Sequence, residues 1–145
     1  MATATRRLQF CAGHRLMNHE GKCANLHGHN YVAFFTAECE RLDAVGRVVD
    51  FSVMKERLGT WIDENWDHGF IAHQADQATH EAILAFGRYS GEEVKYFGME
   101  RNPTAENMAD FLLRHVAPQV MTGTGVTITR VVLWETENCL AEVYL

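Results

Sequence analysis

Two runs of alternating side chains bracket a short polar connection near the N-terminus. Leu8, Phe10, Ala12 and His14 recur at every second residue, as do His27, His29, Tyr31, Ala33 and Phe35, with Val32 and Phe34 on the opposite phase. A period of two is the strand period, so each set occupies one face of a strand. The connection from Asn18 to Asn25 is polar and carries a glycine, so it turns the second strand back on the first. A hairpin-like pair of this kind gathers His14, His27 and His29 at one end of a sheet. Three neutral imidazoles make a borderline-soft nitrogen site, and zinc is the metal such a site most often holds. Closed structural zinc sites have four protein ligands, so three leave a position for water or substrate, the arrangement of a metal-assisted enzyme. The alternative for His27-x-His29 alone is a pair of strand histidines facing water or hydrogen-bonded in the core; the in-phase His14 favours the metal.

Beyond the hairpin the period changes. Ser52 opens a helix with Met54, Leu58, Trp61 and Ile62 on one face. A looser helical signal runs from Gln74 to Arg88, followed by a Gly-bearing stretch. Pro103 starts another helix, with Asn102 as a cap and Met108, Ala109, Leu112 and Val116 as its apolar stripe. Val126–Glu135 and Cys139–Leu145 read as two strands joined by a tight link. The expected order is ββ, helices, ββ: a single α+β domain over residues 1–145, with a four-stranded antiparallel sheet and helices on one face. Such a sheet has two open edges, and pairing them with neighbouring subunits would give a cyclic oligomer.

Composition narrows the function classes. With 145 residues, 47% of them hydrophobic and 22% charged, the chain has the balance of a soluble globular domain. No apolar run approaches the roughly 18–20 residues that span a bilayer, and nothing behind Arg6-Arg7 resembles a signal-peptide core, so no membrane partner and a cytoplasmic location are expected. Cys11, Cys23, Cys39 and Cys139 lack any CxxC pairing and read as free thiols. A net charge of −6 argues against nucleic acid; an anionic small molecule would need a local cluster such as Arg6, Arg7, Arg15 and Lys22.

Several side chains could do chemistry beside a metal. Cys23 sits four residues before His27, in a polar stretch next to Lys22; both a cation and a metal would favour its thiolate, whereas a lone cysteine is otherwise a small buried hydrophobe. Asp67-His68 follows the first helix directly, where an acid is disfavoured by the helix dipole. The carboxylate either orients the imidazole in a relay or is a solvated helix end. Glu135 continues the apolar phase of Val131 and Leu133, so it is either partly buried and in need of a donor, as a flat amino-heterocycle would provide, or emerging into water. Glu106 is compatible with plain first-turn helix charge.

Phe10-x-Ala12-x-His14, Cys23-x3-His27-Gly28-His29-Asn30-Tyr31, Val49-Asp50-Phe51, Asp67-His68, Asn102-Pro103-Thr104-Ala105-Glu106-Asn107 and Glu135-Thr136 occur in this order across nearly the whole chain. Together they resemble the 6-pyruvoyl-tetrahydropterin synthase / 6-carboxy-tetrahydropterin synthase family. That resemblance implies a T-fold, in which three subunits close a barrel and two trimers stack into a homohexamer. It implies zinc on His14, His27 and His29, and a pterin held by Glu135 with help from Thr104 and Glu106. Cys23 would be the general base, with Asp67 and His68 completing its relay at a subunit interface. Three residues between Cys23 and His27 resemble the 6-carboxy enzymes of the queuosine pathway, whose substrate is 7,8-dihydroneopterin triphosphate; the pyruvoyl-forming relatives, with a longer gap, are the alternative. Two departures stand out: residues 70–101 are longer than in compact relatives, and Gly69 follows His68 where relatives often carry lysine. A cyclohydrolase-like zinc hydrolase, which needs no Cys23–His68 relay, and a non-enzymatic zinc assembly module, in which Cys23 would be dispensable, are the competing readings.

Overall fold

The computed structural model describes residues 1–145. In chain order it contains β1 (Thr3–His14), β2 (His27–Glu38), α1 (Phe51–Asn65), β3 (Gly69–His73), α2 (Gln77–Ser90), β4 (Tyr96–Met99), α3 (Ala105–Phe111), α4 (Ala117–Val120), β5 (Thr127–Thr136) and β6 (Cys139–Tyr144). A single 3-10 turn, Lys22–Ala24, lies between the first two strands. One π turn, Leu112–Val116, joins α3 to α4 without a break in direction. The strands form one sheet in the order β4-β3-β1-β2-β5-β6.

The hairpin expected from the alternation is present along its full length. His14 stands opposite His27, Ala12 opposite His29, and Gly13 opposite Gly28. β5 adds to β2 and β6 to β5, all antiparallel, with the tight link at Glu137-Asn138. Two further strands extend the expected four. β3 pairs with β1 and β4 with β3, both in parallel, so the sheet is mixed rather than wholly antiparallel. These strands span five and four residues, too short to show a period, and their partners are distant in sequence. The segment 70–101 is therefore a β-α-β extension of the sheet.

The helices cover one face, with α1 against β1 and α3 against β5 and β6. Phe10, Tyr31, Phe35, Leu58, Trp66 and Leu133 lie at the centre of the core between them. Each such side chain contributes roughly 1.5–3 kcal/mol by leaving water. Phe10 and Tyr31 stack with ring centroids 4.9 Å apart, one step below the histidine end of the hairpin. The helix starts differ from those expected. α1 begins at Phe51, one residue before Ser52, with Asp50 as a cap that accepts from the Ser52 N–H, and Thr104, not Asn102, caps α3 by accepting from the Asn107 N–H. Asn102 instead ties the loop after β1 to the loop before α3: its side chain accepts from the Met17 N–H and donates to the Met17 carbonyl. That stitch brings Pro103 against the end of β1.

Candidate metal centre and active site

β1 ends and β2 begins at the same edge of the core, and this places three imidazoles together. The ligand nitrogens of His14, His27 and His29 all lie within 4.8 Å of one another. His14 Nδ1 donates to the Pro103 carbonyl at 2.8 Å, and His27 Nδ1 donates to the Asn25 carbonyl at 2.7 Å. With both Nδ1 atoms protonated, the two Nε2 lone pairs face each other across 3.0 Å. Nitrogens bound at about 2.0 Å in a tetrahedron stand about 3.3 Å apart, so this spacing suits two ligands of one metal. Facing lone pairs repel unless a cation or a shared proton lies between them. A proton is disfavoured: burial first, and the neighbouring His27 and His29 after it, hold the His14 pKa at about 4 despite the opposing Pro103 bond. Burial and His27 lower His29 as well. The donor set fits a divalent metal. The carbonyls that orient two of the rings are the outer partners on which metal-binding histidines depend.

Gly28 is explained by the same geometry. A Cβ at this position would stand 3.0 Å from the Ala12 carbonyl oxygen, so any side chain between His27 and His29 would push the hairpin apart. Gly13, directly opposite, is equally confined, its virtual Cβ lying 2.7 Å from the Phe70 ring.

Glu135, at the end of β5, brings an oxygen to 3.9 Å from His14 Nε2. Burial and then the charge of Glu106 raise its pKa, while His27 opposes them. It lines a cleft of about 780 Å³ on the uncovered sheet face, together with His29, Asn30, Arg7, Gln9 and Trp134. Thr104 and Glu106 lie at the start of α3, next to the Pro103 carbonyl that holds His14. Arg15 is drawn elsewhere, to Asp76 at 3.2 Å, so the expected basic cluster with Arg6, Arg7 and Lys22 loses that member.

Asp67 and His68 form a pair with its own scaffold. Asp67 Oδ1 accepts from the Cys11 N–H at 2.9 Å, and Oδ2 accepts from His68 Nδ1 at 2.7 Å. Burial alone would raise the Asp67 pKa, but the Cys11 N–H, His68 and Lys95 together hold it below the ordinary value. His68 has φ +57°, and its N–H donates to the Cys11 carbonyl at 2.6 Å. A left-handed conformation costs a residue with a side chain about 1–2 kcal/mol and persists only where the surroundings over-determine it. The His68 side chain is 79% exposed and borders a second cleft of about 410 Å³ that also reaches His29 and Cys11. Cys23 lies on the 3-10 turn, half-buried, its carbonyl accepting from Leu16. No hydrogen bond within the chain joins Cys23 to Asp67 or His68.

Residues that pattern reasoning did not single out complete the site: Pro103 and Asn25 through their carbonyls, Tyr31, whose hydroxyl lies 3.2 Å from His14 Nδ1, and Lys95. Two of these had positions that could have flagged them: Asn25, two residues before His27, and Tyr31, in phase with His27 and His29 on β2. Gly69 also becomes intelligible, because the Lys95 stem fills the space a side chain there would need.

A three-imidazole centre at the mouth of a β-hairpin, with a carboxylate on the adjacent strand and helices behind, defines an α+β protein built around a candidate metal site. The sequence profile of the 6-pyruvoyl tetrahydropterin synthase family matches residues 3–145, and the chain belongs to that family. It is 40% identical over 143 residues, 99% of this chain and 100% of the relative, to a protein of Rickettsia bellii (strain RML369-C) named 6-carboxy-5,6,7,8-tetrahydropterin synthase. Among solved structures it is similar to an uncharacterised protein from Wolinella succinogenes (TM-score 0.81, 24% identity, 99% of this chain and 97% of the other). It is also similar to the 6-pyruvoyl tetrahydropterin synthase of Caenorhabditis elegans (TM-score 0.68, 24% identity, 99% and 95%). These two likenesses support the T-fold architecture.

Proposed function

We propose that this chain is a zinc-dependent 6-carboxy-5,6,7,8-tetrahydropterin synthase of 7-deazaguanine (queuosine) synthesis, acting in the cytoplasm as a hexamer of two stacked trimers. The observation that carries the reading is the full-length 40% identity to relatives of that name, over a chain whose three imidazoles bring their ligand nitrogens within 4.8 Å of one another. The substrate is 7,8-dihydroneopterin triphosphate. The products are 6-carboxy-tetrahydropterin, acetaldehyde and triphosphate, and one water is consumed.

His14, His27 and His29 hold the metal. Zinc in such a site supplies Lewis acidity to the side-chain oxygens of the substrate and so acidifies the neighbouring C–H bonds. Glu135 accepts the paired N–H donors of the pterin ring, a charge-assisted bidentate contact, with Thr104 and Glu106 beside it. This contact requires the ionised carboxylate, although burial pushes Glu135 the other way; the ring donors offset that burial. Cys23 removes a substrate proton as thiolate. His68 relays it through Nε2, the nitrogen left free because Nδ1–H is committed to Asp67. The relay is completed between subunits of the hexamer.

The test is product mass after incubating zinc-loaded protein with 7,8-dihydroneopterin triphosphate. The 6-carboxy product with acetaldehyde is expected. A 6-pyruvoyl product would leave the site standing and overturn the lyase assignment, and formate release from GTP would point to a cyclohydrolase.

A further inference from the structure

We propose that Lys95 is the positioning residue of the Asp67–His68 pair, its ammonium clamping the peptide that presents the His68 ring to the cleft. The proposal rests on the role just given to that pair. Lys95 immediately precedes β4, in the β-α-β extension, and is 27 positions from His68 in sequence. Its Nζ donates to the carbonyls of Asp63 at 2.5 Å and Asp67 at 2.6 Å. Both lie at the C-terminal end of α1, where carbonyls lack helical partners and a cation is favoured by the helix dipole.

The Asp67 carbonyl and the His68 N–H belong to one peptide unit. Lys95 holds its oxygen at 2.6 Å, and the Cys11 carbonyl receives its N–H at 2.6 Å from the other side. The plane of that peptide is thereby fixed at both ends, and His68 is held at φ +57°. Both Asp67 carboxylate oxygens are already engaged, by the Cys11 N–H and by the His68 ring, so they cannot take over the clamp. The Lys95 stem is seated too. A Cβ on Gly69 would come within 3.0 Å of its Cγ and Cδ, and the Lys95 carbonyl accepts from Phe70 N–H at 2.9 Å. One residue therefore pins the turn through its ammonium and the following strand through its backbone. Without the ammonium the Asp67–His68 peptide can rotate, and the imidazole loses its aim and its fixed tautomer.

The test compares wild type with Lys95→Met, which keeps the stem and removes the donors, and with Lys95→Arg, which keeps charge and donors. Steady-state kinetics with 7,8-dihydroneopterin triphosphate, metal content, and a long-range ¹H–¹⁵N spectrum of the His68 ring near pH 8 are recorded for each. Expected for Lys95→Met are a kcat lower by about tenfold or more, unchanged KM and metal content, and a His68 ring that no longer holds a single Nδ1–H tautomer; Lys95→Arg recovers most of kcat. An unchanged kcat or an unchanged ring spectrum in Lys95→Met overturns the proposal, however far Tm falls. If wild type does not turn over this substrate, the proposed function fails instead, and the ring spectrum alone then decides the role of Lys95. Should Lys95→Met not fold, Lys95→Gln, which keeps one N–H donor without charge, carries the same readouts.

Discussion

His14 and Asp67 both have lowered pKa values, for different reasons, and the result is a neutral imidazole in one case and an ionised carboxylate in the other. His14 is kept neutral by burial, with its proton committed to the Pro103 carbonyl, so Nε2 is available to a metal near neutral pH. Asp67 is kept ionised because the Cys11 N–H, His68 and Lys95 outweigh its burial. The second case gives a signed prediction. A carboxylate whose folded pKa lies below its unfolded value of 3.8 contributes stability that is fully present above that value and is lost as pH falls through the folded pKa. Urea unfolding of wild type and Asp67→Asn as a function of pH should show the largest gap above pH 3.8, closing in stronger acid. A gap that stays constant down to the lowest pH would mean that the carboxylate charge is not what Asp67 contributes.

Elements with a strong internal period were legible in the sequence, and elements defined by their neighbours were not. The alternation in β1 and β2 forecast both the pairing and the histidine end, because a one-residue slip would have turned His14 away from His27 and His29. The apolar face of α1 and the stripe Met108, Ala109, Leu112 and Val116 were equally plain, and all four stripe residues are buried. β3 and β4 escaped notice because four or five residues show no period, and with them went the parallel pairing and the lysine that returns to His68. The start of α1 was misplaced by one residue and the cap of α3 by two, because Asn102 and Thr104 are both good cap formers and tertiary contacts drew Asn102 to Met17 instead. Gly28 was visible within its motif, but its reason is cross-strand. Gly28→Ala should cost about 1–3 kcal/mol by forcing the hairpin apart and should weaken metal binding as His27 and His29 separate from His14. Chemical denaturation and a metal-chelator competition check this; a variant with native stability and native metal affinity would contradict the close-approach account.

At the scale of the molecule, the sheet leaves β4 and β6 as open edges and one face uncovered, and the large cleft at Glu135 lies on that face. Completing the barrel with neighbouring subunits would pair the edges, roof the cleft and bring Cys23 of one chain to the Asp67–His68 pair of another. This makes a mixing prediction. Cys23→Ala and His68→Ala should each be nearly inactive alone. Unfolded together and refolded, they should regain activity at about a quarter of the sites by random assembly. No recovery, with assembly verified by sedimentation, would place both residues in a site within one chain. The metal centre remains the claim on which the rest depends, and zinc K-edge absorption of the purified protein addresses it most directly. The expected spectrum has three nitrogen neighbours at about 2.0–2.1 Å with oxygen completing the shell, and the signal is lost in His14→Ala. A sulfur neighbour at about 2.3 Å would move Cys23 from base to ligand and contradict the account, as would a wild-type protein that binds no zinc.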